Sequence, residues 1–358
     1  MPGHRTTYYI YIMKEKFQNL IKKIQRHGEP ESLVITDENL AEHRAAMIKR
    51  GKKLKYPIQV SKKRILVTTC IIVVVAVLVS GALLYNALYR RQETGGFYYS
   101  VTRILPLPVA KVDGKVVRYQ DYLRRARGDI YYLVSQEHRS FTSKEAIAQL
   151  NYIKRQDLTT TEKITYGAKL AEDNGITVTD KDVDDKTTAM READDTTEEI
   201  FAKTLNEYYG WTVDDFHVML KGQMLNEQVS YKMDTKAKEK INQAKDALDG
   251  GMDFVAVAKK YGTSGGGMES GATIDAKTTD RDPTGILRRM NKLKTGETTG
   301  VEKVSLDSSY YYYIGQVVSK DETKRKISYR VILVKLSYLD DQFNAIKSAG
   351  KIEEYIKI

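Results

Sequence analysis

The densest run of chemically capable side chains in this 358-residue chain is Tyr310–Tyr313, four phenols in succession. On a strand, successive side chains alternate between faces, so two of these rings serve a core and the other two either pack as well, the commoner outcome for such a run, or line a groove. Aromatic surface carrying a hydroxyl suits the binding of unfolded chain there. Groups for bond-making chemistry are scarce. The histidines are His4, His27, His43, His138 and His217, with none beyond residue 217. His138 stands alone and His217 adjoins Phe216 in a helical stretch, which suits surface or packing roles better than proton transfer or ligation. No His-x-Glu-x-x-His, acidic metal cluster or Ser/His/Asp set can be assembled from residues 90–358, so hydrolase and metalloenzyme classes lack support, and no metal or cofactor is expected. Gly265-Gly266-Gly267 is not followed by Gly-Lys-Ser/Thr and reads as a turn, not a phosphate cradle. The single cysteine, Cys70, excludes an intramolecular disulfide, a multi-cysteine zinc site and a Cys-x-x-Cys redox pair.

The elements that must position these groups follow from punctuation and periodicity. Residues 90–104 read as a linker, with QETGGFYYS a short tether. Beyond Pro106 and Pro108 come a strand at Val109–Val112, a turn at Asp113-Gly114, a second strand and a helix opening near Tyr119. Thr142 with Glu145, Thr179 with Asp182 and Thr212 with Asp215 each place a hydroxyl against first-turn amides and a carboxylate three residues on, marking three helix starts. The polar stretch Asp180–Glu199 is amphipathic at best and reads as a mobile arm, whereas Trp211, just before a capping threonine, reads as a packing residue. Helix is expected to run through residues 226–236. Ala237, Ile241, Ala244 and Leu248 recur at helical spacing, Gly250 and Gly251 stop that helix, and Phe254, Ala258 and Tyr261 form the face of another.

Charge is distributed unevenly. Residues 1–64 carry 15 Lys/Arg against six Asp/Glu, while the rest of the chain is close to neutral, which argues against a nucleic-acid-binding protein and for a basic tail. In that tail, Lys14–Gln25 and Glu38–Arg50 have helical character. From Ile65 to Tyr89 there is no charged residue, and 25 residues at about 1.5 Å each outreach a hydrocarbon layer of roughly 30 Å. Eight basic residues lie within twenty positions on the N-terminal side (Lys49, Arg50, Lys52, Lys53, Lys55, Lys62, Lys63, Arg64) and three on the other (Arg90, Arg91, Arg103). The positive-inside rule then keeps the N-terminus cytoplasmic and sends residues 90–358 across the cell membrane. The competing reading, a cleaved signal peptide, is disfavoured by the sixty-odd residues that precede the run and by its length.

Three segments, PVAKVDGKVVRYQDY, LAEDNGITVTDKDV and LNEYYGWTVDDFHVMLKGQMLNEQV, together resemble the N-terminal domain of SurA-like and PrsA-like foldases. The next part, from TKAKEKINQAKDALDGGMDFVAVAKKYGT through GILRRMNKLKTGETTGVEKV to SYYYYIGQVV, resembles the parvulin family of peptidyl-prolyl isomerases. The resemblance implies an α+β protein: a cytoplasmic tail (1–64), one transmembrane helix (65–89), the linker (90–104), a mainly helical chaperone lobe (105–234), a small parvulin-like antiparallel sheet with helices (235–336) and a C-terminal helical segment (337–358). Its implied partners are unfolded or nascent exported polypeptides, alongside membrane lipid around residues 65–89. The expected function is protein folding at the membrane, with a catalytically inactive scaffold or peptide-binding module as the alternative.

The chain departs from the parvulin pattern where chemistry resides. The family surrounds the X-Pro bond with two histidines, a Cys or Asp, and a Ser or Thr, and both histidines are missing here, as is the acid in the short loop Gly262–Gly267. What remains by resemblance is a hydroxyl at Ser305 with Tyr311 as catalytic candidates, and Ile286 in place of the proline-pocket aromatic, with Met290, Phe254 and Tyr313 as peptide-binding wall. The first parvulin strand is absent from its usual place, but Arg330–Lys335 matches it with Val331 in place of histidine. Because the first and last parvulin strands are antiparallel neighbours, a hairpin at KDETKR could supply it from the C-terminal end, giving a permuted sheet; the alternative is an additional edge strand.

Overall fold

Asp113 and Gly114 both adopt positive φ, 44° and 87°, and so turn β1 (Pro108–Val112) back onto β2 (Lys115–Arg118), as a two-residue hairpin requires. The computed structural model describes residues 37–55 and 62–358 and divides the chain into two units, 1–78 and 79–358. The expected helix at Lys14–Gln25 lies outside the described residues.

The first unit contains helix α1 (Asp37–Lys55) and most of α2 (Lys62–Tyr85). The aliphatic side chains of α2 point outward all round, Ile65, Ile72, Val77 and Leu78 each being more than half exposed. A helix apolar on every side needs an apolar surrounding, and among the described residues nothing buries this one. The 28-residue stretch Lys63–Arg90 is, among the described residues, the one helix long and apolar enough to cross a membrane.

The second unit is α+β and is built on two small antiparallel sheets. Sheet one has the order β2-β1-β7, in which β7 (Ile352–Glu354) brings the end of the chain back beside β1. Around it lie α3 (Gly96–Ile104), α4 (Tyr119–Ser135), α5 (Lys144–Asp173), α6 (Asp180–Ala193), α7 (Glu198–Tyr209) and α8 (Val213–Met233). Its core joins Val109, Val117, Tyr122 and Leu123 to Leu339, Phe343 and Ile346 of the later helix α12 (Tyr338–Ser348) and to Ile356. The segment 337–358, expected to be helical, is a helix followed by a short strand, and both join the lobe.

Sheet two has the order β3-β6-β5-β4, with β3 at Thr273–Lys277, β4 at Glu302–Leu306, β5 at Ser309–Asp321 and β6 at Lys326–Lys335. Helices α9 (Thr235–Asp249) and α10 (Phe254–Tyr261) cover one face over Tyr312, Ile314, Ile332 and Val334. The short α11 (Ile286–Met290) covers the other over Tyr313, Val317 and Val331. Strand β6 has a partner on each side, so it is an interior strand and not an added edge.

Several local expectations are corrected. The linker 90–104 is no free tether, because α2 passes through a π-helical turn (Asn86–Arg90) that buries Ala87 and Leu88, and α3 follows with Tyr99 and Thr102 buried. Stretch 180–193 is a packed helix with Val183 and Thr187 turned inward against α8, not an arm. The cap expected from Thr142 comes one residue later, where Ser143 accepts from the Ala146 amide. Helix does not run unbroken through 226–236: Asp234, between α8 and α9, accepts from the amides of Ala237, Ser337 and Tyr338 and so ties the two helices to α12. The Thr179 and Thr212 capping boxes form as expected.

Candidate functional site

Strand register decides the fate of the candidate catalytic pair. On β4 and β5, Val304 faces Tyr311 and Ser305 faces Tyr310. Since cross-strand partners share a face and neighbours alternate, Ser305 and Tyr311 lie on opposite faces of the sheet and share no site. Ser305 is exposed, whereas Tyr311 is 4% exposed in the core that also contains Ile286, Met290 and Tyr313.

That core is closed by the glycine loop. Residue 263 and residue 271 are pinned to β6, where the Thr263 amide donates to the Leu333 carbonyl (2.7 Å) and the Gly271 amide to that of Val331 (2.8 Å). Between them Gly265 lies so close to the phenol of Tyr311 that a Cβ on it would sit 2.2 Å from the oxygen, and one on Gly266 would sit 2.6 Å from Leu306. Only glycine permits this approach, so the run is a lid of backbone pressed onto the sheet. Gly315 plays the same part on β5, where a Cβ would meet Met290 at 2.5 Å. Phe254, the remaining peptide-binding candidate, is buried in the other core, on the opposite face, with the Arg330 guanidinium 5.7 Å from its ring. The candidate residues thus divide between two filled cores and an exposed edge.

The tyrosine run serves packing on both faces, so no pair is left over for a groove. Tyr310 Oη donates to the Gln223 carbonyl (3.0 Å) and Tyr312 Oη to that of Tyr231 (3.2 Å), while Tyr231 Oη donates to the carbonyls of Val304 and Tyr311. These bonds fasten sheet two to α8. Burial raises the pKa of Tyr310, Tyr312 and Tyr313 above the ordinary phenol value, so all three stay neutral.

Open concavities lie on the lobe. One, of about 640 Å³, is bounded by Gly175–Thr177, by Met224, Glu227 and Tyr231 of α8, and by Lys303 of β4. Lys303 holds its ammonium 4.6 Å over the Tyr231 ring, and Lys186 and Lys232 complete a polar rim. This concavity lies between the lobe and sheet two, and polar groups make up somewhat more of its lining than apolar ones. The second, of about 250 Å³, runs between β2, α4, α5 and α8. Its floor is Val116, Ile164, Ala168, Val218 and Met219, and its charged lining comprises Lys115, Arg118, Arg124 and Arg125 with one acid, Asp121. An apolar floor with a mainly cationic lining can bury the alternate side chains of an extended peptide while the basic groups meet its carbonyls and carboxylates.

A buried ionic joint holds the wall of this second groove in place. Asp215 accepts from Thr212 in the α8 capping box, from Arg124 Nε (3.1 Å) and from the Tyr99 hydroxyl, and Arg124 also reaches Asp121 (2.7 Å). Burial alone would raise the Asp215 carboxyl, but Tyr99, Thr212 and Arg124 hold it below the usual carboxylate range. Tyr99 is correspondingly pushed up to about 12 by burial and by its bond to Asp215. Trp211 packs in this region as expected, donating from Nε1 to the Arg124 carbonyl (2.9 Å) and lying where a side chain on Gly128 would clash. His217 faces Asp184 of α6 at 3.6 Å, bridging two helices. Among the described residues no group of three or more His, Cys, Asp or Glu side chains is placed to hold a metal ion.

None of the five floor residues stands out in the sequence. The available signal is the i, i+4 spacing of Ile164 and Ala168 on α5 and the adjacent pair Val218-Met219 on α8, and core positions show the same spacing.

Residues 57–230 match the family model of the SurA-like N-terminal domain, a stretch that takes in the apolar helix and the lobe helices into α8 and ends before sheet two. No curated protein and no solved structure matches the chain. The match supports a chaperone-type foldase family of the SurA/PrsA kind.

Proposed function

We propose that the protein is a membrane-anchored chaperone that holds unfolded exported polypeptides at the extracytoplasmic surface, and that its parvulin-like sheet is a brace without isomerase turnover. One contrast carries this reading: the lobe offers an open apolar groove at Val116, Ile164 and Val218, whereas the sheet face bearing Tyr311 is sealed by Gly265. A prolyl isomerase must favour the twisted X-Pro bond over a barrier of about 18–20 kcal/mol, which requires the peptide to enter a pocket. Ser305 and Tyr311, on opposite faces, do not define one.

The interior place of β6 beside β5 supports the permuted parvulin-like sheet, in which the run Arg330–Lys335 replaces the missing first strand. The apolar helix supports the anchor by its length, and the basic excess on its N-terminal side supports a cytoplasmic tail. Anchoring concentrates the lobe where chains emerge.

The test uses the full chain in lipid vesicles, with two assays in parallel. Suppressed aggregation of a chemically unfolded client, without faster isomerisation of an unstructured X-Pro peptide, is the expected result. Accelerated isomerisation abolished by Tyr311→Phe would overturn the non-catalytic part, and unchanged client aggregation would overturn the chaperone part.

A further inference from the structure

Helix α3 is apolar on two opposite sides. Inward, Tyr99 and Thr102 are buried, with the Tyr99 ring under the Arg127 guanidinium at 4.7 Å. Outward, at about 100° per residue, Phe97, Val101 and Ile104 fall within about 60° of one another on the far side. Phe97 is 71% and Ile104 81% exposed, the two highest values for large hydrophobic residues among the described residues. The lobe accounts for the first face and leaves the second uncovered.

The position of α3 indicates what covers it. It begins six residues after Arg90, the end of the membrane-length stretch, so even a fully extended link holds its start within about 22 Å. That link is fixed: the Glu93 amide donates to the Ala87 carbonyl (3.0 Å), Lys154 Nζ to the Gln92 carbonyl (3.0 Å), and Gln92 Nε2 to the Lys357 carbonyl. Tyr85 and Tyr89, stacked at 5.0 Å, stand at the end of the apolar stretch, where tyrosine is favoured at the lipid boundary. Arg90, Arg91 and Arg103 are exposed on either side of the link and can reach phosphate headgroups over apolar stems.

We propose that α3 lies in the bilayer interface, with Phe97, Val101 and Ile104 inserted at the boundary of headgroups and acyl chains. The occupant of the outer face is lipid, continuous with the lipid around α2, and the lobe is held to the membrane at two places. The inference rests on α2 being the anchor. Interfacial helices bury such a face about 5–10 Å deep, which is within reach of three side chains on about two turns of helix.

The unique cysteine makes the test direct. The full chain is spin-labelled at native Cys70 or, in a Cys70→Ser background, at Phe97→Cys, Ile104→Cys or Tyr152→Cys, the last an exposed site on α5. Each protein is placed in phosphatidylcholine/phosphatidylglycerol vesicles, and collisions with oxygen, which partitions into lipid, and with a water-soluble nickel chelate are measured. The expected result is a several-fold higher oxygen-to-nickel ratio at positions 97 and 104 than at 152, with position 70 higher still. A ratio at 97 and 104 equal to that at 152, with position 70 in lipid, overturns the interfacial helix and leaves the anchor standing. Exclusion of both agents at 97 and 104 overturns it in favour of a protein partner. Nickel access at position 70 overturns the anchor and this inference together.

Discussion

Arg124 Nε donates to Asp215 Oδ1 at 3.1 Å, joining α4 to the first turn of α8 with both side chains buried. Removing one partner of such a pair strands the other charge, at a cost of about 3–5 kcal/mol. Arg124→Ala should therefore destabilise the protein by that order, read as a lower denaturation midpoint at unchanged slope. The low folded pKa of Asp215 adds a sign: its stabilisation is complete above the unfolded carboxylate value and is lost as pH falls through the folded one. Asp215→Asn should flatten the acid limb of stability against pH.

Two carboxyls of α5 act in the opposite sense. Burial pushes Glu162 up to about 7, with Glu354 adding to the rise, and burial together with nearby Asp129 raises Asp157. Among the described residues, Asp157 Oδ2 and Glu162 Oε1 have no hydrogen-bond partner, so ionisation there is poorly compensated. The folded state then holds protons that the unfolded state has released, and stability declines as pH rises from about 4.3 towards 7. Glu162→Gln should remove part of that decline, measured by urea unfolding at pH 5 and pH 8.

Gly265→Ala should destabilise sheet two, because the added methyl meets the buried Tyr311 phenol and the loop is held to β6 on both sides. Overpacking of this kind costs about 1–3 kcal/mol. Combining it with Tyr311→Phe should recover part of the loss. A double variant no more stable than Gly265→Ala would show that the loop does not rest on that hydroxyl.

Val218 is about half exposed on the groove floor, so a charge there is tolerated by the fold and resisted by an apolar client. Val218→Glu should leave the thermal midpoint within a degree or two and weaken client binding about tenfold, equivalent to about 1.4 kcal/mol. Titration of a fluorescent unfolded client checks it. Equal binding would move the client site elsewhere on the lobe.

Ile356, two residues beyond β7, is fully buried in the lobe core. Ile356→Ala should cost about 2–5 kcal/mol, although most members of the core it belongs to lie at Tyr166 or earlier in the sequence. Denaturant unfolding monitored at Trp211, the single tryptophan and a lobe residue, reports it.

What the sequence made legible was local. The Asp113-Gly114 hairpin, the Thr179 and Thr212 caps and the Gly250-Gly251 stop each depend on a few neighbouring residues, and each forms where it was expected. Pairing across the chain was harder to read. Whether Ser305 shares a face with Tyr311 depends on a one-residue difference in register, which reverses every side chain and which no property of either residue encodes. Leu88 was read as the end of a lipid-facing run, yet it is buried in the lobe core, because apolarity does not distinguish a lipid surrounding from a protein one. Polar composition hid α6, which needs only Val183 and Thr187 to seat it. Strand β7 is three residues long and pairs with β1 some 240 positions earlier, too short and too distant for any local pattern.

That return of the chain end sets a timetable. A lobe whose core includes Leu339, Phe343 and Ile356 stays incomplete while its own earlier helices are already synthesised, whereas sheet two closes with β6 at residue 335. Vectorial synthesis thus completes sheet two first and the lobe last. Until Ile356 has been made, the lobe is itself unfinished chain of the kind the protein is proposed to hold.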